Sequence, residues 1–162
     1  DPVLLLDRMM TLIANWEQTG DRRTIFLSCY VQMTTSMLQA TRQEGFHDPA
    51  WVNNLVHRFA DYYFEALEAY ELGFKPTPRP WLSAFDAARN AQGHVLQHLL
   101  LGINAHINYD LVLAVADLLE PEWSALSEEA RRDRYKDYCR VNDIIGASLA
   151  RPAASRWWTA MP

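Results

Sequence analysis

Apolar residues recur along this chain at three- and four-residue intervals, the period of one helix face, and no stretch keeps the strict alternation of a half-buried strand. Val3, Leu6, Met10, Leu12 and Ile13 carry a first predicted helix from an Asp1-Pro2 cap to Trp16, with a stop near Gly20. A second starts at Asp21, places Ile25, Phe26, Cys29, Tyr30, Met33 and Met37 on one broad face, and ends around Gly45. Asp48-Pro49 repeats the cap-plus-proline signal, and Trp51, Leu55, Phe59, Tyr62, Tyr63, Leu67 and Tyr70 carry a third helix to Gly73. Pro76, Pro78 and Pro80 make residues 74–80 a stiff, extended internal loop.

The helical pattern resumes from Trp81 to Ala91, and residues 92–119 then hold only Asp110 and Asp117 as formal charges. So apolar a helix is expected to be the central one, surrounded by the others. Glu120-Pro121 ends it. Ser127, followed by Glu128 and Glu129, caps a last helix through Tyr135, Tyr138, Val141, Ile144, Ile145 and Leu149 to Arg151-Pro152; the final residues, with Trp157 and Trp158, are too short to assign. The expectation is an all-α, single-domain bundle of about five to seven helices spanning residues 1–162.

Inside the most apolar segment stand His98, Asn104, His106, Asn108 and Asp110. Polar groups in such surroundings must be paired, neutralised or bound to something, because an unmatched buried amide or imidazole costs about 2 kcal/mol or more. On a helix His106 and Asp110 lie about 40° apart and about 6 Å along the axis, so they share a face. His98 is about 12 Å from His106 on a straight helix, a gap that a bend at Gly102 would shorten. Asn104 and Asn108 point about 160° away from His106 and read as a buried structural network that sets helix register. His57 and Asp61 repeat the His-x-x-x-Asp spacing on the third helix. The metal expectation is therefore that His106 and Asp110, with His98 or with His57 and Asp61, hold zinc or iron, with His106 and Asp110 as the catalytic pair. His94 and His98, four apart with Gln92 and Gln97 nearby, read alternatively as a wetter face, and His47, next to Asp48, as a loop residue.

A net charge of -5 argues against nucleic-acid binding. The charge run Glu128 to Asp137 reads as a solvated helix face. No uninterrupted apolar run reaches the length of a membrane span, so the chain is expected to be soluble, with cytoplasm as the default compartment and no oligomeric state implied. Cys29 and Cys139 read as two buried free thiols. Phosphate loops, nucleophile elbows and His-Glu-x-x-His motifs are missing from the sequence.

The segment Leu101-Gly-Ile-Asn-Ala-His-Ile-Asn-Tyr-Asp-Leu111 resembles the hallmark Leu-Gly-x-Asn-Ala-His-Ile-Asn-x-Asp-Leu of a group of bacterial and fungal helical proteins classed as a domain of unknown function. Looser matches extend through Gly20-Asp21, Tyr30, Met33, Thr34, Phe59, Tyr63, Ala66, Trp81, Asp137, Tyr138, Val141 and Asn142. The resemblance implies a helical fold and a site centred on Asn104, His106, Asn108 and Asp110, without a reaction. Two functions follow as expectations. One is a metal-dependent enzyme, a hydrolase or Lewis-acid catalyst, acting on a small, partly apolar substrate. The other is a non-catalytic helical module that binds a small molecule or partner, its motif a buried hydrogen-bond network. A metal-free acid/base enzyme using the same pair would need an open cavity beside it.

Overall fold

Caps and prolines place most helix ends where local physics puts them. The computed structural model describes residues 2–43, 45–90 and 93–150. It consists of α1 (Pro2–Thr19), α2 (Arg23–Ala40), α3 (Pro49–Leu72), α4 (Arg79–Arg89), α5 (Val95–Ala105), a π turn (His106–Asp110), α6 (Leu111–Leu119) and α7 (Glu128–Ala150). There is no strand among the described residues, and the all-α expectation holds. Asp48 accepts the Trp51 N–H at 2.9 Å with Pro49 in the first turn, and Gly73 closes α3 at a φ of 65° that other residues resist. Ser127 Oγ accepts the Ala130 N–H at 3.2 Å to start α7. α2 stops at Ala40, short of the expected end around Gly45, whereas α4 begins at Arg79 with Pro80 in its first turn, as expected of that proline. The Asp1 cap, Ala91, Gln92 and the residues from Arg151 onward lie outside the described residues.

α5, the π turn and α6 run end to end as one 25-residue rod, Val95–Leu119. By length and apolar character it could cross a membrane; in the fold one face of it packs against α2, α3 and α4 through His98, Gly102, Ala105, His106, Asp110, Leu111 and Ala114. The rod is not surrounded, as its composition led us to expect. Leu96, Leu100, Asn104, Asn108 and Val112, each one turn from the next, form a stripe open to solvent. The interior belongs instead to α2 and α3, whose Leu27, Tyr30, Val52, Leu55, Ala60 and Tyr63 are at most 2 % exposed. Burying each large apolar chain contributes about 1.5–3 kcal/mol. Apolar content alone cannot rank helices by depth, because two amphipathic helices with wide aromatic faces enclose more volume than one uniformly apolar helix.

The rod bends the hydrogen-bond pattern at the motif and not at Gly102. The Leu111 N–H donates to the His106 carbonyl five residues back, the signature of a π turn. Gly102 serves close approach: a Cβ there would lie 2.5 Å from the Phe26 ring of α2.

Candidate functional site

His106 and Asp110 meet across the π turn, with His106 Nδ1 2.8 Å from Asp110 Oδ2. Because a carboxylate oxygen accepts, the imidazole donates from Nδ1 and carries its lone pair on Nε2. A third member comes from α4. The Trp81 Nε1–H lies 2.9 Å from both Asp110 oxygens and is shared between them. Trp81, His106 and Asp110 are each 0 % exposed. Burial holds the His106 pKa below the usual imidazole value although Asp110 pulls it upward, which favours a neutral ring hydrogen-bonded to the carboxylate.

Aromatic rings enclose the imidazole. Phe59 stacks on it with ring centres 3.6 Å apart and planes 7° from parallel, and Tyr30 meets it edge-on at 4.1 Å. Phe26, Tyr63 and Trp81 complete the wall at 5.6–6.2 Å. His106 Nε2 is buried with no hydrogen-bond partner. The Tyr30 hydroxyl, kept protonated by burial, is likewise buried and lacks hydrogen-bond geometry to Thr34.

The remaining expected ligands stand apart. Phe59 turns toward His106 from α3, and His57 and Asp61 each lie two residues from it, about 200° around the helix, where His57 is partly exposed and Asp61 exposed. His98 is buried but engaged elsewhere: Arg22 Nη1 donates to its Nε2 at 3.2 Å and to the Gly93 carbonyl at 2.6 Å. Among the described residues no three His, Cys, Asp or Glu side chains come together as a group that could hold a metal ion. Asn104 and Asn108 are a correction to the buried network: Asn108 Nδ2 donates to Asn104 Oδ1 at 2.8 Å on the solvent side of the rod. They are exposed because the face opposite His106 meets no other helix. Cys29 and Cys139 are free and partly exposed, and burial pushes the Cys29 thiol up to about 11.

The charge run on α7 is not wholly solvated. Asp137 is 1 % exposed, and its two oxygens accept the backbone N–H groups of His47 and Asp48 at 2.8 Å each. Arg134 reaches Asp48 at 2.9 Å and Glu122 at 2.8 Å. An acidic residue that follows Arg131, Arg132, Arg134 and Lys136 within two turns carries no sequence signal of such burial. Trp81 had one signal only, its place behind Pro80, which predicted a helix start but not a partner.

Two small cavities flank the aromatic wall. One, of about 20 Å³, lies among Tyr30, Thr34, Phe59, Leu111, Val141 and Ile145; the other, of about 10 Å³, lies among Arg22, Phe26, Tyr63, Trp81 and His98. Each is near the size of one water. A larger hollow of about 190 Å³ opens between Tyr62, Glu65, Lys75, Pro76, Pro78 and Tyr109 and reaches Asp110, whose carboxylate nevertheless faces inward to Trp81 and His106.

A family of unknown function (DUF5995) matches residues 4–156, and the chain belongs to that family. No curated protein shows significant similarity to it. No solved structure does so either.

Proposed function

We propose that this member of the family is a non-catalytic helical binding module whose Trp81–Asp110–His106 network is an internal brace. One observation carries the reading: both carboxylate oxygens of Asp110 are taken by protein donors, and the imidazole they orient is walled in by five aromatic rings. A base must reach a proton on its substrate to act, directly or through one water. Here the walls leave space for about one water. The brace ties α4 to the rod at the point where α2 and α3 meet it, so it sets the shape of the surface hollows where binding takes place.

The test is unfolding of His106→Ala. Truncation strands Asp110 and opens a cavity, so a loss of about 3–5 kcal/mol is expected in denaturant titrations. A variant as stable as the wild type defeats the brace. The metal-dependent hydrolase keeps one observation in its favour, the unpartnered Nε2 of His106 at a π turn, a feature frequent at functional sites. Elemental analysis of untagged protein decides between the two. Zinc or iron bound one to one, with stability lost to a chelator, would replace the brace by a metal site.

A further inference from the structure

Leu96, Leu100 and Val112 on the open side of the rod are each more than half exposed, and Asn104, Asn108 and Ala116 in the same row are exposed too. The row is a palindrome. Counted outward from His106 in both directions it reads amide, apolar, apolar: Asn104 and Asn108, then Leu100 and Val112, then Leu96 and Ala116. In a straight α-helix each four-residue step drifts about 40° around the axis; the wider π turn at the centre takes part of that drift back and keeps the row on one side. A surface that repeats itself in reverse suits a second copy laid antiparallel about a two-fold axis, where each residue of one chain meets its mirror position in the other.

The amides point the same way. Asn108 Nδ2 donates to Asn104 Oδ1 within the chain, which leaves Asn104 Nδ2 as a donor and Asn108 Oδ1 as an acceptor, in the open and without a partner among the described residues. Antiparallel copies set Asn104 of each against Asn108 of the other, donor to acceptor twice over, whereas parallel copies set donor against donor. Asp110 is the only formal charge from 96 to 116, and it is buried, so no like charges meet across the contact. A lipid surface fits worse: residues 90–119 hold no Lys or Arg to meet headgroups, and two amides interrupt the apolar row at its centre.

We infer that the chain forms an antiparallel homodimer through the 96–116 face of the rod, with Asn104 and Asn108 pairing reciprocally at the two-fold axis. This face points away from His106, so its use is independent of what the motif does. Sedimentation equilibrium of the intact chain should give twice the mass of one chain at about 100 µM, well above a dissociation constant in the low micromolar range. Leu100→Lys or Val112→Glu alone should raise that constant about ten-fold or more, because each sets a charge against an apolar mirror position. Both positions are exposed, so circular dichroism should show the fold intact. The two substitutions together in one chain should restore the dimer and make it sensitive to salt, because the new cation then meets the new carboxylate of the other copy. A dimer indifferent to the single substitutions, or a double variant that stays monomeric, overturns the inference. So does a wild-type chain still monomeric at about 500 µM, and flotation of that monomer with phosphatidylcholine–phosphatidylglycerol vesicles would assign the face to a membrane instead.

Discussion

Trp81 shows how one side chain decides the character of a buried carboxylate. Its indole N–H serves both oxygens of Asp110, and Trp81→Phe removes that donor while keeping an aromatic ring in place. The lost hydrogen bond to a charged acceptor should cost about 1.5–3 kcal/mol in urea unfolding; a cost near zero would mean that Asp110 finds another donor without strain. Gly102 is decisive in the opposite sense, by what it lacks. An added methyl would press on the base of the Phe26 ring, which packs against Tyr30, Tyr63, Trp81 and His106 at once. Gly102→Ala raises helix propensity, yet overpacking of about 1–3 kcal/mol should win, and the variant should melt below the wild type. A higher melting temperature would show that α5 can slide away from α2.

Between elements, the notable joint is that of α7 with the start of α3. Asp137 receives the N–H groups of His47 and Asp48, Asp48 in turn caps α3, and Arg134 ties Asp48 to Glu122. Asp137→Ala strands two backbone donors in a buried place, so a destabilisation of about 2–4 kcal/mol is expected. Hydrogen exchange should report it locally, with the His47 and Asp48 amides losing protection before those at the middle of α3. Uniform loss of protection along the chain would instead mean that this joint opens only with global unfolding. The rod shows the same division between local and distant causes. Its helical character follows from its own residues, but the exposed stripe through Leu96, Leu100, Asn104, Asn108 and Val112 exists because no helix covers that side.

For the molecule as a whole, the histidines make stability depend on pH. Burial lowers the pKa of His57, His98 and His106, so the unfolded chain, with values near about 6.5, binds more protons than the fold does just below that pH. Stability is therefore whole above about pH 6.5 and declines as pH falls toward the folded-state values, by up to about 1.4 kcal/mol per pH unit for a fully buried imidazole. Urea midpoints measured from about pH 7.5 to 5.5 should fall. A profile that rises toward low pH would mean that His106 is charged in the fold and that the contact with Asp110 is an ion pair. The chain by itself determined its helices and most of their ends, since Asp48-Pro49, Gly73 and Ser127 act on their own neighbours through caps, fixed φ angles and short-range hydrogen bonds. It also marked His106 and Asp110, one turn apart in an apolar stretch, as a pair in need of satisfaction. Only the tertiary structure decided that Trp81 donates to Asp110, that His57, Asp61 and His98 do not join the pair, and that the Asn pair lies in solvent. Those outcomes depend on how whole helices turn against one another, and that rotation is set by the sum of many side-chain contacts between distant segments, which no local pattern contains.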